Sequence, residues 1–117
     1  MSLKNILIVV SDMERSKRFY RDIFGLHAVS DFGQNVILSE GLVLQEQKTW
    51  EQLIGTNTVT GNASELFFEE NDFDAFLLSL EKNKEARQIG EVRVNSWGKR
   101  TVMLKDPDGH LIEVAER

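Results

Sequence analysis

The sequence predicts an α+β protein of two βαβββ modules forming a curved mixed sheet around a cleft. Three observations carry this reading. A short apolar run rich in β-branched residues, Asn5 to Val10 (NILIVV), leads directly into a capped amphipathic helix. Three short strand-like segments separated by turn residues follow that helix. The same order then recurs sixty residues on, with Ile6 falling on Leu66, Ile8 on Phe68, Asp12 on Asp72, Met13 on Phe73 and Tyr20 on Leu80. Apolar and capping positions coincide together under this shift, so the halves are copies of one unit. One copy alone covers one sheet face with its helix and leaves the other open; two copies can close around a shared concavity. Pairing within a chain and pairing across a dimer both satisfy the pattern.

Each element has a local cause. Asp12 is a good N-cap, Met13, Ser16, Phe19, Tyr20 and Ile23 recur at helical spacing, and Gly25 is a C-cap residue. Strands are expected at His27 to Phe32, Gln34 to Ser39 and Gly41 to Gln47, with turns at Gly33 and Glu40-Gly41. The first module thus covers about residues 1–47. Residues 48–63 read as a linker, with a short helical turn at Trp50 to Ile54 and an exposed loop, GTNTVTGN, from Gly55 to Asn62. The second module, residues 64–117, opens with ELFFE at Glu65 to Glu69. Asp72 caps a helix with Phe73, Phe76, Leu77 and Leu80 on its apolar stripe. A poorly defined strand from Ala86 to Val94, broken at Gly90, precedes strands at Arg100 to Lys105 and Leu111 to Glu116. Pro107, Asp108 and Gly109 set the turn before the last strand.

Composition narrows the function classes. A chain of 117 residues with 41% apolar content makes one ordinary globular domain. There is no cysteine, hence no disulfide, thiolate metal site or thiol nucleophile. The apolar run at Ile6 to Val10 is too short to span a bilayer and lacks the flanks of a secretory signal, so no membrane partner and a cytoplasmic location are expected. Nineteen acids against fourteen scattered bases give a net charge of -5, which argues against nucleic acid and suits a cationic or neutral small ligand.

Strand alternation sorts the side chains, because residues two apart share a face. With the wholly apolar sets placed against the helices, Asn5, Gln45, Glu65 and Glu113 point into the concavity, together with Val43, Gln47 and Phe67. Glu113 sits in an otherwise apolar strand, LIEVA. A carboxylate there is either solvent-facing or a ligand of the cleft. Amide and carboxylate oxygens suit hard cations better than zinc or copper. Without a cation, two neighbouring carboxylates repel and one tends to keep a proton, a route to general acid or base behaviour. Phe32, Trp50, Phe67 and Trp97 are candidates to line an apolar pocket, and Arg100 to meet an anionic group. For Trp97 packing in the core or at a dimer contact, and for Arg100 a surface role, are equal alternatives. His27 and His110 are read as non-ligands, since His110 falls on the helix side and His27 opens a strand.

The blocks VSDMERSKRFYRDIFGL (Val10 to Leu26) and SWGKRTVMLKDPDGHLIEVAE (Ser96 to Glu116) resemble the vicinal oxygen chelate superfamily, which includes glyoxalase I, fosfomycin-modifying thiol transferases, extradiol dioxygenases and metal-free bleomycin-binding proteins. The resemblance implies paired βαβββ modules, a homodimer and a small-molecule ligand at a junction of modules. It also implies metal ligands from the first strand of each module, commonly His, and from the last strands, commonly Glu or Gln. Here those positions carry Asn5, Glu65 and Glu113, with Gln45 as a fourth; the histidines are replaced. Two functions follow. One is a glyoxalase-like lyase or transferase in which Mg²⁺, Mn²⁺, Ni²⁺ or Zn²⁺ polarises a substrate oxygen and Glu65 or Glu113 moves a proton. The alternative is a metal-free protein that sequesters a drug or metabolite. An extradiol dioxygenase is disfavoured by the short chain and the missing His-His-Glu set.

Overall fold

The structure, a computed structural model, describes residues 1–117 as two compact units, Met1–Val59 and Thr60–Arg117. In the first unit β1 (Ile6–Val10) leads to α1 (Met13–Phe24), then β2 (Ala28–Asp31), β3 (Asn35–Leu38), a 3-10 turn (Ser39–Gly41), β4 (Leu42–Glu46) and α2 (Gln47–Ile54). In the second, β5 (Glu65–Glu70) leads to α3 (Phe73–Lys82), β6 (Arg87–Val94), β7 (Arg100–Lys105) and β8 (Leu111–Glu116). Each unit holds a four-stranded mixed sheet, ordered β1-β4-β3-β2 in one and β5-β8-β7-β6 in the other. In both, the first strand runs parallel to the last and the remaining pairs are antiparallel.

The helix signals work locally. Asp12 Oδ1 accepts from the Arg15 N–H at 3.1 Å, and Asp72 Oδ1 from the Ala75 N–H at 3.0 Å, so both copies use the same cap. Gly25 ends α1 at φ 68°, a left-handed conformation that glycine adopts without a Cβ clash. Phe19, Tyr20 and Ile23 of α1 are buried, with α1 packed on β4, where Leu44 and its neighbour Val36 are also buried. In the second unit the buried set is Phe73, Phe76 and Leu80 of α3 with Val102, Leu104, Ile112 and Val114.

Some boundaries differ from expectation. Three strands of the first unit are shorter at both ends, and Asn5 precedes β1 instead of belonging to it. Gln47, expected in the fourth strand, begins α2, because Glu46 caps that helix by accepting from the Thr49 N–H at 3.2 Å. The helical segment is therefore longer than a turn and packs on β4 and β1 of its own unit. β6 is continuous through Gly90: a register irregularity between Ile89 and Arg93 absorbs the break, with Gly90 at φ 67°.

Candidate functional site

In the second unit, cross-strand register arranges the side chains of the sheet face opposite α3 in rows. Arg100 of β7 donates to Asp74 of α3 and its guanidinium lies 5.0 Å from the Phe73 ring centre. This fixes α3 over the face of Arg100, Val102 and Leu104, and leaves the opposite face to residues of the other parity. Its first row is Glu65, Leu111, Lys105 and Arg87; its second is Phe67, Glu113, Met103 and Ile89; its third is Glu69, Ala115, Thr101 and Arg93. Acids cluster toward β5 and β8, bases toward β7 and β6. Leu111, Phe67, Met103 and Ile89 are the apolar members of the first two rows, with Phe67 53% exposed.

Glu65 and Glu113 are diagonal neighbours on adjacent parallel strands, since Glu65 is paired with Leu111 and Glu113 with Phe67. Side chains so placed reach one another. The Glu65 carboxyl is pushed above the usual carboxylate range, first by desolvation and second by the Glu113 charge. A raised folded-state value means that the native protein holds this proton more tightly than the unfolded chain. Stability from this group is thus fully present below the ordinary carboxylate value and is lost as pH rises through the raised one. Glu65→Gln is expected to abolish that loss, so its urea midpoint should exceed wild type at neutral pH and equal it at acid pH. A midpoint difference independent of pH would contradict this assignment.

The first unit does not reproduce the pair. Leu42 pairs with Ile6, whereas Ile112 pairs with Leu66, so the last strands correspond at a shift of seventy and the counterpart of Glu113 is Val43. Gln45 stands one step further along, beside Val9, and is 8% exposed. Its Oε1 accepts from Asn35 Nδ2 at 2.9 Å, which commits the oxygen that would serve a ligand. Asn5 lies at the other end of β1, its Oδ1 3.8 Å from where a Gly41 Cβ would stand. Four residues of strand, about 13 Å, separate it from the level of Gln45.

This geometry tests the fit of a divalent cation. Ca²⁺ takes six to eight oxygen ligands, mostly from protein, and Mg²⁺ takes six, several of them water. The second unit offers two carboxylates, the first keeps Asn5 and Gln45 apart, and no three His, Asp or Glu side chains converge as a metal-holding group. Neither unit by itself supplies an all-protein ligand shell, and the carboxylate pair would hold a cation only with water filling the remaining positions.

The other predicted residues fall in varied places. Phe32, 72% exposed, is in the β2–β3 turn, Trp97, 83% exposed, is at the tip of the β6–β7 hairpin, and Trp50 is half-buried on α2. Arg100 lies on the helix-covered face. There its side chain bonds Asp74 at 2.9 Å and Glu116 at 3.1 Å, and its backbone N–H donates to Glu116 Oε1 at 2.9 Å. These contacts hold the Glu116 carboxyl below its usual range, the backbone hydrogen bond first. They make Arg100 a tie between α3 and the sheet. His27 is exposed and His110 half-buried, the latter in the turn before β8.

One important residue escaped the sequence reading. Asp106 is fully buried, and its Oδ1 accepts from the N–H groups of Asp108 and His110, both at 2.9 Å. Its own N–H donates to the His110 carbonyl at 3.0 Å. The available signal was the aspartate directly before Pro107, a residue type that bonds the backbone two positions on.

The comparisons agree with this architecture. Residues 3–117 match the family model of the glyoxalase-like domain. A protein of unknown function from Agrobacterium tumefaciens str. C58 shares 33% identity and superposes with a TM-score of 0.87, over 100% of this chain and 94% of that one. A glyoxalase/bleomycin resistance protein/dioxygenase family enzyme from Burkholderia phytofirmans PsJN superposes at 0.82 with 16% identity, over 97% and 96%. Lactoylglutathione lyase from Agrobacterium tumefaciens does so at 0.73 with 24% identity, over 98% and 92%. No curated protein matches the chain at a significant level. With a duplicated βαβββ unit, the mixed sheets and a family match over nearly its whole length, the chain belongs to the glyoxalase-like domain family.

Proposed function

We propose that the chain binds a small organic molecule carrying a protonated nitrogen. The nitrogen sits at the Glu65–Glu113 pair and the apolar body lies on Phe67, Met103 and Ile89. The observation that carries this reading is the pair itself: two carboxyl groups that are diagonal neighbours on one sheet face, flanked by Leu111, Phe67 and Met103, with Glu65 held above its usual range. A cation relieves that repulsion, and exposed aromatic and thioether surface accommodates an apolar body. The net charge of -5 adds attraction at long range. The form proposed is a homodimer, and a single-chain mass by sedimentation would contradict it. No helix is long and apolar enough to cross a membrane.

A second reading, a glyoxalase-like lyase, draws on the same pair, because neighbouring carboxyl groups, with the proton affinity of Glu65 raised, are a source of general acid and base. Titration calorimetry separates the two. With benzylamine as probe, Glu113→Gln should weaken binding about 10-fold, the size of one lost charge-assisted hydrogen bond. Unchanged affinity would sink the cation-binding reading. Stoichiometric Mn²⁺ or Ni²⁺ binding that disappears in Glu113→Gln would replace it with a metal-dependent enzyme.

A further inference from the structure

A second polar feature of the same sheet face lies outside the carboxylate pair. Thr60, Gly61, Asn62, Lys105, Asp108 and Gly109 line an open pocket between the start of the second unit and the turn that feeds β8. Lys105 is half-buried there, and its ammonium has no hydrogen bond or ion pair within the chain. It makes no ion pair with Glu65, the acid of its own row. Arg87 adds a second positive group at the rim: its Nη2 is 3.9 Å from the position of a Gly109 Cβ and 3.4 Å from the Asp106 carbonyl oxygen. Against these two cations stands the Asp108 carboxylate, which leaves the pocket net positive. The Asp106 carboxylate is withdrawn into the turn by its bonds to Asp108 and His110. The Thr60 hydroxyl and the Asn62 amide are further donors on the wall.

We infer that this pocket is an anion subsite, in which Lys105 binds a carboxylate or phosphoryl group on the far end of the ligand held by Glu65 and Glu113. The inference rests on the cation-binding function proposed above and extends it to a ligand class: an elongated zwitterion with an apolar middle. Register supports the connection. Lys105 pairs with Leu111, which pairs with Glu65, so the two charged residues share one row. Two strand spacings separate them, about 10 Å at the backbone. A carboxylate and a phosphoryl group both suit an ammonium, which acts as a point charge with rotatable donors.

The test uses the full-length protein, labelled with ¹⁵N, and two matched probes, benzylamine and 4-(aminomethyl)benzoate, at constant ionic strength. The added carboxylate should tighten binding about 10-fold in wild type, shift the amides of Thr60, Gly61 and Gly109, and lose this advantage in Lys105→Met. Lys105→Arg should restore it, which separates a charge requirement from a folding defect. Inorganic phosphate should move the same three amides without either amine. Equal affinities of the two probes in wild type, or phosphate shifts that persist unchanged in Lys105→Met, would overturn the subsite. Phosphate shifts at this pocket with no benzylamine binding would sink the cation-binding reading and leave the subsite standing.

Discussion

Asp106→Ala is expected to lower the unfolding free energy by about 3–5 kcal/mol, two charge-assisted hydrogen bonds to a fully buried residue lost at once. Both bonds run from backbone N–H groups to one carboxylate oxygen, so alanine leaves the Asp108 and His110 donors without their acceptor. The cost extends beyond the turn because β8, which begins at Leu111, is the inner strand that pairs with both β5 and β7. Asp106→Asn retains an oxygen able to accept both bonds, without the charge, and should lose roughly half as much. Urea denaturation compares the three proteins directly. Equal midpoints for Asp106→Ala and wild type would show that Pro107 and Gly109 hold the turn unaided. The carboxylate pair and the Lys105 pocket both flank this turn, so Asp106→Ala should also disturb binding, while Asp106→Asn should preserve it.

The second large effect belongs to the first unit. Phe19→Ala should cost about 3–5 kcal/mol, the range for removing a buried aromatic ring from a packed core. Phe19 is buried and meets Tyr20 edge-on at 5.0 Å between ring centres and Phe24 at 5.8 Å. Neighbouring rings that cannot collapse into the space leave a cavity, and aromatic pair energy is lost with it. Small domains are stable by about 5–15 kcal/mol, so the variant approaches the unfolding threshold. Phe19→Leu keeps most of the volume and should retain more than half of the stability lost by alanine. Thermal denaturation followed by circular dichroism checks both. A Phe19→Ala melting temperature within a degree of wild type would show that α1 is not held by this contact.

Local rules reached far into this chain. The caps at Asp12 and Asp72, the stop at Gly25 and the sixty-residue repeat depend on residues a few positions apart, and each appears as expected. Alternation along β5 and β8 put Glu65 and Glu113 on one face, and register places them as diagonal neighbours. The rest depends on partners distant in sequence. Parity put Gln45 on the cleft face as a fourth candidate beside Glu113, yet pairing makes Val43 the counterpart of Glu113, because the two modules space their last strands differently. Arg100 looked available to an anion, whereas α3 brings Asp74 and Phe73 to it from twenty-six and twenty-seven residues away.

The sequence by itself determined the duplicated βαβββ units, the helix caps and the parity of the two carboxylates, since period, capping and alternation are properties of short stretches of backbone. Only the tertiary structure decided which partners those side chains meet: Asn35 for Gln45, Asp74 and Glu116 for Arg100, no internal partner for Lys105, and burial for Asp106. Strand register and helix docking make those choices, and both are set by packing across the whole sheet, where a one-residue slip would move every side chain to the other face.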